Sequence, residues 1–414
     1  MRKLQPVRGT KDLLGSESLV QRYVINTAQK ISERYGYEPI ETPVFEFTDV
    51  FKRTLGNTSD IVTKEMYTFE DKGGDSLTLR PEGTAGIARA MLSDGLLNQT
   101  PLKWYYSGPM FRHERPQKGR LRQFHQVGVE LIGIAEPVGD IEVIDLARAY
   151  LDELGVLPFT NLEINTLGDS QSRSSYREVL VSYLEDYRSS LSMESQSRLD
   201  LNPLRILDSK NEEDKNIICN APPYTDYLNY ESESFFNSVI AGLEDLDIPY
   251  KVNPRLVRGL DYYCHTAFEF TTTRIGSQGT VLAGGRYDNL ITMMGGNSTP
   301  GIGWAAGVER LAMLADFELD KRRAIIVIGI GAAGERLAVK LAKDLRQSEF
   351  KIELNYRGGL KRGLRRANKI GAAAAVFIGD EELSRQSVTL RNLDDGSQTE
   401  VSFSELKNYL QKHF

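Results

Sequence analysis

Cysteine and histidine are scarce in this sequence, and their scarcity excludes several classes of protein. Only Cys219 and Cys264 occur among 414 residues, and they stand far apart. Two isolated cysteines give no disulfide framework and are typical of a reducing compartment, so we expect a cytoplasmic protein. Neither cysteine forms a zinc-binding spacing with any of the four histidines, so no metal site made of histidine and cysteine is expected.

Long apolar runs are also absent. No stretch approaches the ~20 apolar residues that a membrane-spanning helix needs. The first fifteen residues, MRKLQPVRGTKDLLG, lack the apolar segment of a signal peptide. We therefore expect neither membrane insertion nor secretion. A hydrophobic content of 40% and a charged content of 26% are typical of a soluble globular protein, and 414 residues predict two or three domains.

Positive charge is unevenly distributed along the chain. From Lys321 to the C-terminus there are 18 lysines and arginines against 11 aspartates and glutamates, a net charge of +7. The preceding residues carry 33 basic against 46 acidic side chains, a net charge of −13. A basic segment joined to an acidic body indicates that this segment binds a polyanion.

Acidic residues are missing from a predicted loop at residues 115–122, which carries four basic side chains. The flanking sequences SGPMFRHE and QFHQVGVE have the character of two strands, and Arg112 and Glu114 point to one face of the first. On the second strand, one face carries an aromatic ring, an amide, a glycine without a side chain and a carboxylate: Phe124, Gln126, Gly128 and Glu130. An arginine for phosphate and a ring for stacking suit a nucleotide joined to a small polar molecule. An ordinary hairpin with a solvated loop would have the same spacing.

Residues 76–92, SLTLRPEGTAGIARAML, predict a strand, a turn and a helix. Pro81 fixes the turn and Gly83 relaxes it. Glu82 and Thr84 stand where an acid and a hydroxyl stabilise the start of a helix, so this pattern needs no ligand to account for it.

Residues 256–270, LVRGLDYYCHTAFEF, have strand character. Strand parity places Arg258 and Tyr262 on one face and Tyr263 on the other. Tyrosines in strands are usually packing residues, so packing alone could explain this segment. In AGGRYDNL, residues 283–290, two adjacent glycines permit close approach of the backbone to a ligand.

Together these motifs resemble a known family. FRHE followed by RQFHQVGVE resembles motif 2 of the class II aminoacyl-tRNA synthetases, and GIGWAAGVERL at residues 301–311 resembles motif 3. RGLDYY and AGGRYDNL are similar to segments specific to the histidyl-tRNA synthetases. RGTKD near the N-terminus, and the helix and proline-broken strand that follow it, are similar to the N-terminal element and motif 1 of that family.

The resemblance implies an α+β fold whose catalytic domain is a mainly antiparallel sheet with helices. We expect this catalytic domain in residues 1–170 and 246–320, a helical insertion in residues 171–245, and an α/β anticodon-binding domain in residues 321–414. The family further implies a cytoplasmic homodimer with motif 1 at its interface, tRNA(His) as partner and no contact with a membrane.

The implied reaction is activation of L-histidine by ATP with Mg²⁺, followed by transfer of histidine to tRNA(His). The catalytic residues would be Arg112, Arg258 and Arg310. Histidine would be bound by Glu82, Gly83, Thr84, Arg112, Gln126, Glu130, Arg258, Tyr262 and Tyr263. ATP would be bound by Arg112, Glu114, Phe124 and Arg310. The tRNA would contact Arg115 and Gln117 in the motif 2 loop and Arg362 and Arg366 in the basic tail.

Two other interpretations remain open. In the tail, AIIVIGIG, FKIELNY and AAVFIGD alternate with helical stretches and predict a small parallel α/β domain. Gly329, Gly331 and Gly334 form GxGxxG there, and Glu353 follows about 20 residues on, as in dinucleotide-binding enzymes. The acid-free run RGGLKRGLRRANK instead favours nucleic acid, although a solvated helix face would look the same.

The other interpretation is a paralogue of this family that does not aminoacylate tRNA and regulates ATP phosphoribosyltransferase. Such paralogues share the catalytic fold but generally lack the intact RGLDYY segment and the anticodon-binding domain. The sequence has both features, which favours the synthetase.

Overall fold

The protein forms two compact units, Met1–Phe317 and Glu318–Phe414. The computed structural model describes residues 3–56, 59, 61–209, 211–258, 260, 262–276, 279–315 and 323–414. Gly259 and Asp261 of the RGLDYY segment, and Lys321 and Arg322 of the basic tail, lie outside the described residues. No helix among the described residues is both long enough and apolar enough to cross a membrane.

The N-terminal unit contains strands β1 to β11 and helices α1 to α10. The strands are β1 (Glu38–Pro39), β2 (Phe45–Phe47), β3 (Tyr67–Glu70), β4 (Ser76–Leu79), β5 (Leu102–Phe111), β6 (Gln123–Ile132), β7 (Asn161–Thr166), β8 (Lys251–Val252), β9 (Cys264–Thr271), β10 (Thr280–Arg286) and β11 (Gly301–Gly307). The helices are α1 (Ser16–Arg34), α2 (Thr48–Leu55), α3 (Thr84–Ser93), α4 (Pro137–Glu153), α5 (Ser170–Glu185), α6 (Met193–Leu201), α7 (Glu212–Ile218), α8 (Tyr230–Asp245), α9 (Leu290–Met293) and α10 (Val308–Ala312).

One large sheet of eight strands carries the predicted motifs, in the order β1-β5-β6-β11-β10-β9-β7-β8. Its pairs are antiparallel except β1 with β5 and β7 with β8, which confirms the mainly antiparallel sheet. The predicted hairpin is β5 and β6, paired from Leu102 opposite Ile132 to Phe111 opposite Gln123. Strand β11 is last in the sequence but lies in the middle of the sheet, so motif 3 stands directly beside motif 2.

Helices α1 and α4 pack on one face of this sheet because their apolar residues recur every three or four positions. Val24, Ala28 and Ile31 of α1 are buried in the same core as Ala147 and Leu151 of α4. Burying each large side chain contributes roughly 1.5–3 kcal/mol. This core fixes the face of β6 that carries Val127, Val129 and Leu131, so the opposite face of β6 is left for the site.

The segment expected to be a helical insertion divides between two cores. Helices α5 to α7 and the short 3-10 helices among them bury their own cluster, which includes Tyr176, Leu180 and Leu199. Helix α8 instead buries Phe236, Val239 and Leu243 in the main core, beside α4. Helix α8 therefore packs with the body of the catalytic unit, and the bounds 171–245 of the insertion stay a prediction.

The C-terminal unit contains β12 (Ile325–Gly329), α11 (Gly331–Gln347), β13 (Ile352–Leu354), α12 (Leu360–Lys369), β14 (Ala374–Ile378), α13 (Asp380–Ser384), β15 (Ser387–Asn392), β16 (Gln398–Ser402) and α14 (Leu406–His413). Its sheet has the order β13-β12-β14-β15-β16. The predicted parallel β-α-β-α-β arrangement is confirmed for β12 to β14. The antiparallel strands β15 and β16 were not predicted.

Two of the three GxGxxG glycines, Gly329 and Gly334, allow close packing of the helix on its strand, whereas Gly331 has a φ of 73° and no described atom within 4 Å of an added Cβ. A Cβ on Gly329 would lie 2.5 Å from the backbone of Glu335, and one on Gly334 would lie 2.4 Å from the carbonyl oxygen of Ile378. Glu353 forms an ion pair of 2.8 Å with Arg366. Packing therefore accounts for Gly329 and Gly334, and the ion pair accounts for Glu353, without a dinucleotide.

Candidate active site

A cleft of about 220 Å³ opens on the site face of β6, between the motif 2 loop and strands β10 and β11. The turn before α3 and residues 258–263 complete its walls. Most of the predicted ligand-binding residues line it: Glu82, Thr84, Arg112, Glu114, Phe124, Gln126, Arg258, Tyr262, Tyr263 and Arg310. The fold therefore brings together residues that are more than 200 positions apart in the sequence.

One end of the cleft is acidic. Glu82 is buried and accepts hydrogen bonds from the backbone N–H groups of Thr84, at 2.6 Å, and Ala85, at 2.7 Å. Burial raises the pKa of Glu82, while these two donors and Arg112 oppose that rise. The predicted stabilisation of the helix start is thus present, yet Glu82 and Thr84 also line the cleft. The two interpretations of this turn are compatible.

Glu130 lies directly behind this end. Its side chain accepts hydrogen bonds from the hydroxyls of Thr84, at 2.7 Å, and Tyr287. The residue is 1% exposed, and burial raises its pKa to about 8 even though both hydroxyls favour the carboxylate. A Cβ on Gly303, which lines the cleft, would lie 2.0 Å from Oε2 of Glu130. Glu130 is therefore a second carboxyl group at the acidic end, one layer behind the wall.

Tyrosines surround the two carboxyl groups. Tyr262 and Tyr263 have ring centroids 4.6 Å apart, and Tyr287 contacts Tyr262 edge-on at 5.9 Å. Tyr106 lies beneath Gly83, where a Cβ would come 2.4 Å from the Tyr106 ring. Burial raises the pKa of Tyr106, Tyr262 and Tyr287 well above the ordinary value, so these hydroxyls are neutral hydrogen-bonding groups at physiological pH.

The other end of the cleft is basic. Arg112 donates from Nε to the carbonyl of Pro81 at 2.8 Å, and its guanidinium lies 5.3 Å from the centre of the Phe124 ring. Glu114 forms an ion pair of 2.9 Å with Arg120 and lies 3.9 Å from Arg112. One carboxylate is thus shared between two arginines, which leaves an excess of positive charge.

Arg310 and Arg258 extend the basic end through one network. Arg310 donates to the carbonyl oxygens of Thr280 at 2.7 Å and Gly119 at 3.1 Å. The hydroxyl of Thr280 donates to Glu269 at 2.8 Å, and Glu269 forms an ion pair with Arg258. Burial lowers the pKa of Arg310, and the positive charge of Arg120 adds to that effect.

Arg258 is held by its neighbours rather than by a strand. Strand β9 begins only at Cys264, so the predicted parity of Arg258, Tyr262 and Tyr263 is wrong. Tyr262 and Tyr263 both line the cleft, and the Arg258 guanidinium lies 5.2 Å from the Tyr263 ring. Burial works against the charge of Arg258, but Tyr263 and Glu269 raise its pKa. Its Nε is buried and has no hydrogen-bond partner among the residues that the structure describes, which leaves a donor beside the cleft.

The glycine pair at 284 and 285 has a different role from the one expected. A Cβ on Gly285 would lie 2.7 Å from the carbonyl oxygen of Thr266 and 2.9 Å from the Tyr263 ring. One on Gly284 would lie 2.4 Å from the carbonyl oxygen of Gly303 and 2.6 Å from the Phe268 ring. The close approach is therefore to the protein's own backbone and aromatic rings. Gly83 behaves similarly against Tyr106, and neither Gly83 nor Glu130 itself lines the cleft.

Several site residues escaped sequence reasoning. Arg120 was counted only as part of a basic loop, although it pairs with Glu114. Tyr287 belongs to the AGGRYDNL segment, but its bond to Glu130 depends on the placement of β6 and β10 on either side of β11. Glu269 and Thr280 lie in ordinary strand sequences, and no local signal marks them.

The residues expected to contact tRNA lie outside the cleft. Arg115 and Gln117 are exposed on the motif 2 loop, where Gln117 and Arg120 exchange backbone hydrogen bonds. Arg362 and Arg366 are exposed on α12 of the C-terminal unit. Among the described residues, no group of three or more His, Cys, Asp or Glu side chains could hold a metal ion.

Comparison with known proteins places this site in a family. The sequence model described as histidyl-tRNA synthetase matches residues 9–311, and that described as anticodon binding domain matches residues 324–413. A histidine–tRNA ligase of Rhodospirillum rubrum is 55% identical over 413 residues, which cover 100% of each chain. That of Gluconacetobacter diazotrophicus is 50% identical over 410 residues, 99% of each chain.

Solved structures agree. The apo histidyl-tRNA synthetase of S. aureus superposes with a TM-score of 0.82 at 36% identity and covers 98% of this chain and 99% of its own. A Bacillus halodurans protein described as an ATP phosphoribosyltransferase regulatory subunit/histidyl-tRNA synthetase has a TM-score of 0.65 at 23% identity over 91% of this chain and 98% of its own, a likeness of fold alone. The match to the anticodon-binding model covers the segment in which GxGxxG suggested a dinucleotide site. The fold, the cleft and both sequence models agree, and the chain belongs to the histidyl-tRNA synthetase family of class II aminoacyl-tRNA synthetases.

Proposed function

We propose that the cleft activates L-histidine with ATP to histidyl-adenylate and pyrophosphate, and that the protein then transfers histidine to tRNA(His). The observation that carries this proposal is the polarity of the cleft. Two buried carboxyl groups, Glu82 and Glu130, mark one end, and four arginines line the other: Arg112, Arg120, Arg258 and Arg310. A cationic amino group and an imidazole suit the first end, and a triphosphate suits the second.

The first step requires positioning rather than a general base. A carboxylate with a pKa near 3.5 is already ionised at neutral pH and can attack the α-phosphate directly. The phosphate oxygens gain charge in the transition state and must be neutralised. Arg112 and Arg258 hold the α-phosphate and the histidine carboxylate between them, and Arg310 holds the γ-phosphate. The ring of Phe124 stacks on adenine, and Glu114 contacts the adenine or the hydrated magnesium ion.

Histidine is recognised at the acidic end. Glu82, Thr84 and the side chain of Gln126 bind the amino group, and Oε1 of Gln126 is buried without a partner in the described structure. Tyr263 and Glu130 bind the imidazole, with Tyr262 packed against Tyr263. An apolar amino acid would leave these buried groups unsatisfied, which costs about 1–3 kcal/mol for each group.

Magnesium enters as part of the MgATP substrate. A magnesium ion keeps several waters and is usually bound through one or two carboxylates and the phosphates. Glu114, 12% exposed at the basic end, is the carboxylate suited to that role.

A second copy of the chain covers an apolar face of the N-terminal unit. In strand β2 the usual burial of apolar and exposure of charged side chains is reversed. Glu46 is buried against Arg89, while Phe45 and Phe47 are 49% and 59% exposed. Strands β2, β4 and β3 form a small three-stranded sheet in that order. In this sheet Phe47 and Phe69 are both paired with Leu77 of β4, and Phe69 is 45% exposed. Rows of exposed aromatic rings mark association surfaces, and this sheet contains the motif 1 strand, so the partner is a second copy.

The tRNA is bound by both units. Arg115 and Gln117 meet its acceptor end at the motif 2 loop, and the basic helix α12 meets its anticodon stem and loop. The two cysteines are unpaired thiols, Cys219 exposed and Cys264 buried, as expected for an enzyme of the cytoplasm.

Histidine-dependent exchange of pyrophosphate into ATP tests the first step. The purified protein should catalyse the exchange with histidine and not with phenylalanine or glutamine at the same concentration. Equal exchange with all three amino acids would refute the assignment of the acidic end to histidine. No exchange with any of them would refute adenylate formation itself and favour the regulatory paralogue.

A further inference from the structure

One tyrosine of the C-terminal unit is unusually exposed. Tyr356 follows β13 and is 72% accessible to solvent. The loop that carries it is fixed: Asn355 donates from its backbone to Val327 at 3.0 Å and from its side chain to Gly358 at 2.6 Å. Gly358 has a φ of 78°, which only glycine adopts easily. The ring is therefore held out by an ordered turn.

The neighbouring surface is cationic. Helix α12 buries only Gly363 and Ala367, and a Cβ on Gly363 would lie 2.6 Å from Ile328. This seating turns the long side chains outward. The exposed cations of the loop and of α12 are called the basic patch below: Arg357, Lys361, Arg362, Arg365, Arg366 and Lys369. Of these, Arg366 pairs with Glu353 at 2.8 Å, and its guanidinium lies 5.7 Å from the Tyr356 ring.

We infer that Tyr356 is the stacking platform for one unpaired base of the anticodon loop of tRNA, with the basic patch on the adjacent phosphates. This inference rests on the proposed function and names the base-binding residue within it. A flat exposed ring beside cations is the combination that binds single-stranded nucleic acid, because every base offers a π face and every nucleotide a phosphate. RNA loops present such bases already unstacked.

The same features argue against a peptide or membrane partner. The exposed residues that follow Tyr356 in the loop are an arginine and glycines, and the next exposed aliphatic side chain is that of Leu360, the first residue of α12, at 43%. A peptide groove would need a larger apolar surface. Most of the basic patch lies on the exposed face of α12, a helix without acidic residues, so its charge complements a phosphate backbone.

Full-length variants test the ring. Tyr356→Ala should raise KM for tRNA(His) in aminoacylation by at least ~5-fold, the lower limit for loss of one stacked base. Tyr356→Phe keeps the ring and should stay within about 2-fold of wild type. Tyr230→Ala removes another tyrosine that is 80% exposed, on α8, and serves as the control. Histidine-dependent pyrophosphate exchange, which involves no tRNA, should be unchanged in all three variants.

Salt dependence separates stacking from charge. Arg362→Ala should flatten the slope of log K against log salt by about one unit, since one phosphate contact is lost. Tyr356→Ala should weaken binding while leaving the slope unchanged. A slope change in Tyr356→Ala would show that the variant disturbs the basic patch and would overturn the assignment of a stacking role.

The base itself is identified by a double-mutant cycle with tRNA(His) that carries an abasic site at each anticodon-loop position in turn. One abasic site should weaken wild-type binding as much as Tyr356→Ala does, and the two changes together should cost no more than either alone. Additive losses at every position, or an unchanged KM in Tyr356→Ala, would overturn the inference. Failure of pyrophosphate exchange in the wild type would instead overturn the proposed function.

Discussion

The hydroxyl of Tyr287 donates a hydrogen bond to Oε2 of Glu130, so a residue of the AGGRYDNL segment holds a carboxyl group of motif 2 from across the sheet. No cation pairs with that carboxyl among the described residues, and burial raises its pKa to about 8. In the unfolded chain the same group loses its proton near 4.5. The folded apoprotein therefore holds this proton across a wide pH range.

That proton makes stability depend on pH. Between pH 4.5 and about 8 the folded state binds more protons than the unfolded state at this position, so its contribution falls as pH rises through that window. Glu130→Gln removes the titration while keeping an amide that can meet both hydroxyls. Without ligand, the variant should match wild type near pH 5 and exceed it at pH 8.5 in denaturant unfolding. A difference that stays constant with pH would contradict the prediction.

Glu130 should also control affinity for histidine. Glu130→Ala leaves the hydroxyls of Thr84 and Tyr287 without their acceptor and removes the proposed partner of the imidazole. We expect histidine affinity to fall by roughly 1–3 kcal/mol. ATP affinity, which depends on the basic end, is the internal control and should change little. Equal losses for both substrates would indicate general damage to the cleft.

Arg258 should act in adenylate formation more than in transfer. A guanidinium that neutralises the α-phosphate matters most while charge develops there, and in the adenylate that phosphate is already esterified. Arg258→Ala should slow single-turnover adenylate formation by ~10²-fold or more, the scale for loss of one preorganised donor. Transfer from preformed adenylate should suffer less. A rise in KM alone with kcat unchanged would mean that only substrate binding was lost.

Arg258→Lys is the matched comparison for this residue. Lysine keeps the positive charge but cannot present the planar pair of donors that now faces Glu269 and the cleft. We expect adenylate formation in Arg258→Lys to stay at least about tenfold slower than in wild type. A tenfold difference corresponds to roughly the contribution of one hydrogen bond. Full recovery would show that Arg258 provides charge without geometry.

The basic patch should separate the two half-reactions. Arg362→Glu with Arg366→Glu reverses charge on α12 and should reduce aminoacylation while sparing pyrophosphate exchange, because phosphate contacts dominate binding to nucleic acid. Lys340→Glu with Lys343→Glu makes the same charge change at exposed positions of α11 and is the control. Equal losses in both assays, or equal effects of both double variants on aminoacylation, would contradict a specific role for α12.

The exposed aromatic face should govern association of two chains. Phe47→Asp places a charge among the exposed rings of Phe45 and Phe69. The variant should shift from dimer to monomer in sedimentation equilibrium. Val138→Asp alters a side chain that is 64% exposed on α4 and should leave the dimer intact. A Phe47→Asp protein that remains dimeric at micromolar concentration would assign the interface to another surface.

Local patterns were sufficient for the elements that carry the site. The period of two in QFHQVGVE correctly placed Phe124 and Gln126 on one face of the strand, and that face lines the cleft. Val127 and Val129, on the other face, are buried in the core. The strand, turn and helix at residues 76–92 followed from Pro81, Gly83 and the acid before the helix. These features are decided within a few residues, so the sequence displays them.

Parity failed where the chain is not a strand. Arg258 is positioned by Glu269 and by the Tyr263 ring, contacts that depend on a neighbouring strand and that no spacing rule encodes. The Arg120–Glu114 pair and the bond from Tyr287 to Glu130 depend likewise on how the loop closes and on which strands become neighbours. The composition of α8 resembles that of the helices before it, so the sequence gives no sign that α8 packs against α4.

The position of β11 has a consequence for the chain as it is made. Residues 301–307 form the strand between β6 and β10. Until they leave the ribosome, the sheet therefore consists of two separate parts, β1-β5-β6 and β10-β9-β7-β8, and β6 and β10 each have an unpaired edge. Open edges are templates for pairing with other chains. A nascent or truncated polypeptide that ends before residue 301 thus presents two such edges and no complete substrate cleft. The large sheet is therefore complete only after the synthesis of one short, glycine-rich strand near the end of the catalytic unit.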